Sequence, residues 1–107
     1  MFTRVVNVAC KPGKCRDFCN TIDEKIMPLL REQQGFLDEI ILVSDTNPDH
    51  VVGISFWKSR QDAERYHRDQ YPQIVELLRN VIASNPTVEN FDVDTSTVHH
   101  VIAGKAA

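Results

Sequence analysis

The chain has 107 residues, 42% of them hydrophobic and 25% charged, with a formal net charge of −3 and a pI near 5.7. That length suits one compact domain. No block of Lys and Arg favours nucleic acid, and no apolar run approaches the ~20 residues of a membrane span. The N-terminal MFTRVVNVACKPGK lacks the successive basic, apolar and cleavage regions of a secretory signal. A cytoplasmic location is therefore expected, with Cys10, Cys15 and Cys19 as free thiols.

Residues 2–10, FTRVVNVAC, are rich in β-branched and apolar types and read as a strand. Lys11-Pro12-Gly13-Lys14 punctuates the chain. From Cys15 the period changes: Cys15, Phe18, Cys19, Ile22, Ile26, Leu29 and Leu30 fall at spacings of three and four, an amphipathic helix. Pro28 should kink that helix or split off its last turn, and Gly35 should end it. Residues 35–44 form a second strand and residues 50–58 a third. The turn Asp45-Thr46-Asn47-Pro48-Asp49 joins them into an antiparallel hairpin. Ser59-Arg60-Gln61-Asp62 resembles a capping box. The helix it opens should break between Asp69 and Tyr71, because Pro72 disfavours α geometry at the residue before it. Pro72 can then begin a continuing helix that carries Ile74, Leu77, Leu78 and Val81. Asn85-Pro86 stops it, and residues 87–99 read as the last strand. Residues 1–103 are expected as one domain and 104–107 as a loose tail.

The order β-α-β-β-α-β is that of an α+β, ferredoxin-like fold with a four-stranded antiparallel sheet. Two helices can cover only one face of such a sheet. The second and third strands nonetheless carry apolar residues on both faces, including Ile40 and Leu42 against Ile41 and Val43. An uncovered face of that kind is too apolar for a monomer. It predicts a homodimer packed through an isologous two-fold interface.

With Asn7 in the opening strand, the Gln34-Gly35-Phe36 step and the segment WKSRQDAERYH, the chain resembles the antibiotic-biosynthesis-monooxygenase-like family of dimeric α+β barrel proteins. The likeness covers nearly the whole chain in element order. It implies a pocket between each sheet and its own helices. Some members are oxygenases that act on quinols or polyketide phenols without metal or flavin. Others degrade haem, and related folds serve as isomerases, so the fold alone does not settle the reaction.

His67 can take a proton near neutrality. A phenol or hydroquinone must lose one before passing an electron to oxygen, which makes His67 the candidate base; the plainer reading is a helix histidine that packs or solvates. Trp57 is the candidate wall for an aromatic ligand, or a core residue at a strand end. Tyr66 and Tyr71 flank the helix break and could offer phenol hydroxyls. Asn7 shares parity with Val5 and Ala9; if that face looks at the helices, Asn7 lines the pocket, and Arg4, of the other parity, faces the dimer or solvent. Cys15 and Cys19 lie in phase with Phe18 and Ile22 and read as buried small hydrophobes. His99-His100 would point to opposite faces of a strand, so no metal site is expected. Against the haem-degrading branch, the expected catalytic Trp and His positions fall near Tyr66 and Glu76, and only Asn7 transfers. The resemblance, together with a titratable group beside aromatics, thus implies a cofactor-free monooxygenase for a small aromatic or quinol-type compound. The alternatives are a non-catalytic binding or stress-associated module and a cofactor-free isomerase.

Overall fold

The computed structural model describes residues 1–99. Strand β1 (Phe2–Ala9) is followed by helix α1 (Cys15–Thr21), a π-helical stretch (Ile22–Ile26) and helix α2 (Met27–Arg31). The hairpin β2 (Phe36–Val43) and β3 (His50–Trp57) comes next, then α3 (Arg60–Asp69), α4 (Tyr71–Leu78) and β4 (Thr87–Asp92). The four strands form one antiparallel sheet in the order β2-β3-β1-β4. The helices cover one face of it.

The helix breaks fall where proline chemistry places them. Pro28 lies in the first turn of α2, directly after the π-helical stretch. A proline offers no N–H and its ring displaces the carbonyl four residues back, so the preceding turn widens. Pro72 likewise sits in the first turn of α4, and Gln70 separates α4 from α3. Ser59 caps α3, its hydroxyl accepting from the Asp62 N–H at 3.2 Å. Gly35 adopts φ +82°, and a Cβ there would collide with the Asp62 side chain. Only glycine fits that step into β2.

The core lies between the helices and the sheet. Phe18, Ile22, Ile26 and Leu30 bring one apolar stripe and Ala63, Tyr66, Ile74 and Leu78 another, against Phe2, Val8, Val51 and Trp57 of the sheet. Each large apolar side chain buried there contributes roughly 1.5–3 kcal/mol.

Two expectations are corrected. The last strand ends at Asp92 rather than at residue 99. Asp92 pairs with Phe2 and the Val93 N–H already reaches the Met1 carbonyl, so β1 has no backbone left to offer. The faces of β1 are also reversed. Arg4, Val6 and Val8 face the helices, while Asn7 lies on the opposite face, where its Oδ1 meets His50 Nε2 at 3.2 Å. The reason is the paired register: Arg4 lies opposite Ser55, and Phe2 opposite the buried Trp57. On that opposite face Ile40, Leu42 and Phe91 are 40%, 46% and 47% exposed. The tail expected at 104–107, and His100, lie outside the described residues.

Candidate active site

Two concavities meet at Arg4. The inner cavity runs between the sheet and the helices and has about 50 Å³ of room. Its walls are mainly apolar, with Phe18, Ile22 and Ile74 among them; Arg4, Glu39, Tyr66 and Tyr71 supply its polar chemistry. The outer cleft, about 330 Å³, opens beside α3 and β4 and is lined by His67, Glu64 and Asn90 as well as Arg4. Ligand pockets usually measure ~300–1,000 Å³. The inner cavity is narrower than that, bounded in part by the π-helical residues Ile22 and Ile26 and by the helix that begins at Tyr71.

Arg4 is only 3% exposed. A buried cation is costly unless it is paired and hydrogen-bonded. Its guanidinium lies 5.0 Å from the Tyr66 ring centroid and 4.6 Å from that of Tyr71, so two aromatic faces solvate it. Its Nη2 donates to His67 Nδ1 at 2.8 Å. The His67 ring stacks on Tyr71 at 5.1 Å. An arginine can only donate, so Nδ1 of His67 must be the unprotonated nitrogen and Nε2 carries the hydrogen of the neutral ring. Burial and the neighbouring Arg4 charge both lower the His67 pKa below its ordinary 6.5. The lone pair that would serve a base is thus already engaged. His67 lines the outer cleft, not the inner cavity.

Glu39 presents a contrasting environment. It projects from β2 toward the helices and lies opposite Ser55, next to Gly53. A Cβ on Gly53 would stand 3.1 Å from Glu39 Oε1, so the missing side chain makes room for the carboxylate. Burial pushes the Glu39 carboxyl up to about 7; Arg4 opposes the shift and Asp38 adds to it. Burial also raises the phenol pKa values of Tyr66 and Tyr71, with Arg4 opposing in both. Both tyrosines remain protonated donors at neutral pH. The Tyr71 hydroxyl is buried and has no hydrogen-bond partner among the described residues. A buried polar atom in that state is rare and calls for a ligand or a water.

The sequence-derived candidates are therefore split. Tyr66 and Tyr71 line the inner cavity together. His67 touches the same cluster from the cleft side through Arg4. Asn7 shares no cavity with His67, because it lies across the sheet. Trp57 is fully buried and lines neither cavity. Its Nε1 donates to Ser55 Oγ at 2.9 Å, and its ring packs edge-on against Phe36 and beside Tyr66. It is a core residue rather than a ligand wall. Arg4 and Glu39 were not among the candidates. The available signal was that each is an ionisable residue inside an apolar strand. Among the described residues no group of three or more Cys, His, Asp or Glu could hold a metal ion. No helix there is long and apolar enough to cross a membrane.

The fold recurs in solved structures of low sequence similarity. One is a monooxygenase of Streptomyces coelicolor in complex with nanaomycin D: 19% identity, 89% of this chain and 88% of that one, TM-score 0.76. Another is a conserved protein of Methanosarcina mazei: 22% identity, 85% and 91% coverage, TM-score 0.69. A protein of unknown function from Nitrosomonas europaea matches at 15% identity, 90% and 91% coverage, TM-score 0.71. No curated protein matches the chain. The family model for antibiotic biosynthesis monooxygenase matches residues 1–80. With that match over most of its length, and with the sheet-and-helix layout around an inner cavity, the chain belongs to the antibiotic biosynthesis monooxygenase family.

Proposed function

We propose that the chain is a cofactor-independent monooxygenase acting on a small aromatic or quinol-type compound in the inner cavity. The observation that carries this reading is the unpartnered, buried Tyr71 hydroxyl beside the buried Arg4 cation, in a cavity otherwise apolar. An aromatic ring suits such walls. An oxygen on that ring can accept from Tyr71 and be stabilised as an anion by Arg4. A monooxygenase of the same fold binds a small molecule, nanaomycin D. In the reaction a phenol and dioxygen give a quinone and water: the ring supplies four electrons, one oxygen atom becomes a carbonyl and the other leaves as water. His67 holds Arg4 in place between the two tyrosines. With about 50 Å³ of room the cavity is narrower than the substrate ring, so binding requires side chains of its wall to move apart. The exposed Ile40, Leu42 and Phe91 face is where a second copy packs, giving a homodimer.

The test is oxygen uptake with a panel of 1-naphthol, hydroquinones and anthrones, with mass analysis after ¹⁸O₂ labelling. Incorporation of one labelled atom into the product is expected. A ligand-induced thermal shift with no uptake by any compound would instead identify a binding module. Product formation under strict anaerobiosis would identify an isomerase.

A further inference from the structure

We propose that Glu39 is the proton acceptor of this site: its carboxylate takes the hydroxyl proton of a phenolic substrate while the Tyr71 hydroxyl and Arg4 hold the resulting phenolate oxygen. This rests on the reading of the inner cavity as the substrate site. The placement is geometric. Glu39 reaches the cavity from β2, in the gap left by Gly53, with Arg4 entering from β1, Tyr66 from α3 and Tyr71 from α4. The wall from α1, the π-helical stretch and α2 is apolar there: Phe18, Ile22, Ile26 and Leu30. Asp38 is the other carboxylate close enough to act on Glu39.

The remaining titratable groups are unsuited to the role. Tyr66 and Tyr71 hold their protons more tightly than ordinary phenols. The Nδ1 lone pair of His67 is taken by Arg4, and His67 is outside this cavity. Arg4 cannot accept a proton. Glu39 has a carboxyl raised to about 7, the range in which a group is half ionised at neutral pH and strongly basic for a carboxylate.

The step balances. The substrate O–H breaks, its electron pair stays on oxygen, and the proton forms the Glu39 carboxylic acid. The phenolate passes one electron to dioxygen, and the resulting phenoxyl radical and superoxide couple through a new C–O bond into a ring peroxide anion. Glu39 returns its proton to the distal peroxide oxygen. The O–O bond then breaks as the ring C–H proton leaves with hydroxide as water, and the ring carbon becomes a carbonyl. Glu39 ends as the carboxylate it began as.

Two experiments on the full chain test this. In the first, the Glu39 side-chain carboxyl is followed by carbon-13 NMR. Its titration midpoint is expected near 7, and saturation with 1-naphthol is expected to move its resonance while 1-methoxynaphthalene, which lacks the proton, does not. A midpoint near 4, no response to 1-naphthol, or equal responses to both compounds would overturn the proposal. This arm needs no turnover, so it stands even if no compound of the panel is oxygenated and the monooxygenase reading itself fails. In the second, wild-type kcat with an oxygenated substrate rises with pH through a midpoint near 7. Glu39→Gln is expected to lower kcat ~100-fold or more with KM nearly unchanged, and to abolish that midpoint. Glu39→Asp, which keeps a displaced carboxylate, should restore part of the rate and the pH dependence. Wild-type kcat in Glu39→Gln would refute the assignment.

Discussion

Replacing Glu39 by Gln should stabilise the fold at alkaline pH and leave it unchanged at acid pH. The carboxyl is moved from an ordinary 4.5 to about 7, chiefly because burial penalises its charged form. A group whose pKa is raised on folding contributes its full stability below the unfolded value and loses it as pH rises through the folded value. At ~1.4 kcal/mol per pH unit, the ionised Glu39 therefore costs about 3 kcal/mol of folding free energy above pH 7. Gln has nearly the same shape and never ionises, so it removes that cost. For a domain of this size a change of that order moves Tm by roughly 10 °C or more. The assay is urea unfolding of both proteins from pH 4 to 8.5 at one protein concentration, since association alters apparent stability. The stability difference between them should be near zero at pH 4, climb between pH 4.5 and 7, and level off above. A difference independent of pH would show that Glu39 is not desolvated in the way described. A variant that gains stability as it loses turnover would mark Glu39 as a group kept for chemistry at a structural cost.

Nitrogen-15 NMR of His67 at pH 7.5 should show an unprotonated Nδ1 and a protonated Nε2; the opposite tautomer would contradict the Arg4 contact. Since the His67 pKa is lowered from 6.5, the contact is complete above pH 6.5 and is lost as pH falls through the lowered value. A titration midpoint above 6.5 would refute this. Tyr71→Phe removes a hydroxyl with no partner, so the free protein should be unchanged or up to ~1 kcal/mol more stable. The same variant should bind 1-naphthol ~5- to 10-fold more weakly, and a clear loss of stability in calorimetry would show that the hydroxyl is bonded after all. Ile40→Lys with Leu42→Lys places two charges on the exposed sheet face. Sedimentation equilibrium should give the mass of one chain for that variant and of two for the wild type; equal masses would refute the interface.

Element order, both helix breaks and the Ser59 cap were legible because each depends on local chemistry: period, proline geometry and a side chain within reach of its own backbone. The site was less legible because it depends on which side of a strand a residue occupies. In VVNVAC the period of two is visible but its phase is not. Valines and an alanine occupy both faces of β1, and only the pairing of Phe2 with Trp57 sets the phase. An amide then looked like the polar residue worth placing over the pocket, and an arginine like one belonging to solvent. The cost of burying Arg4 is offset by two tyrosines and a histidine more than sixty positions away in sequence. No local pattern records that offset. Trp57 and His67 stand ten apart, which is compatible with one pocket, yet the strand carries the indole under the helices while the helix carries the imidazole to the outer cleft.

The register shift between Phe36 and Asp38 gives β2 a property that residue identity alone does not. Phe36 and Glu39 are three positions apart, so a regular strand would send them to opposite sides. The irregularity allows both to look at the helices, Phe36 against Trp57 and Glu39 into the cavity. Leu37 is the extra residue there: Phe36, Asp38 and Glu39 pair with Trp57, Phe56 and Ser55 in turn. Straightening the strand at its present length would force a choice between them. Either the aromatic contact at the strand's start survives and Asp38, with its shorter side chain, is turned toward the cavity in place of Glu39, or the acid stays and the Phe36–Trp57 contact is lost. Deleting Leu37 would instead leave Phe36 and Glu39 two positions apart, and a regular strand would carry both to the helix side. Within this architecture the presence of a carboxylate over Gly53 is thus a matter of chain length as much as of composition.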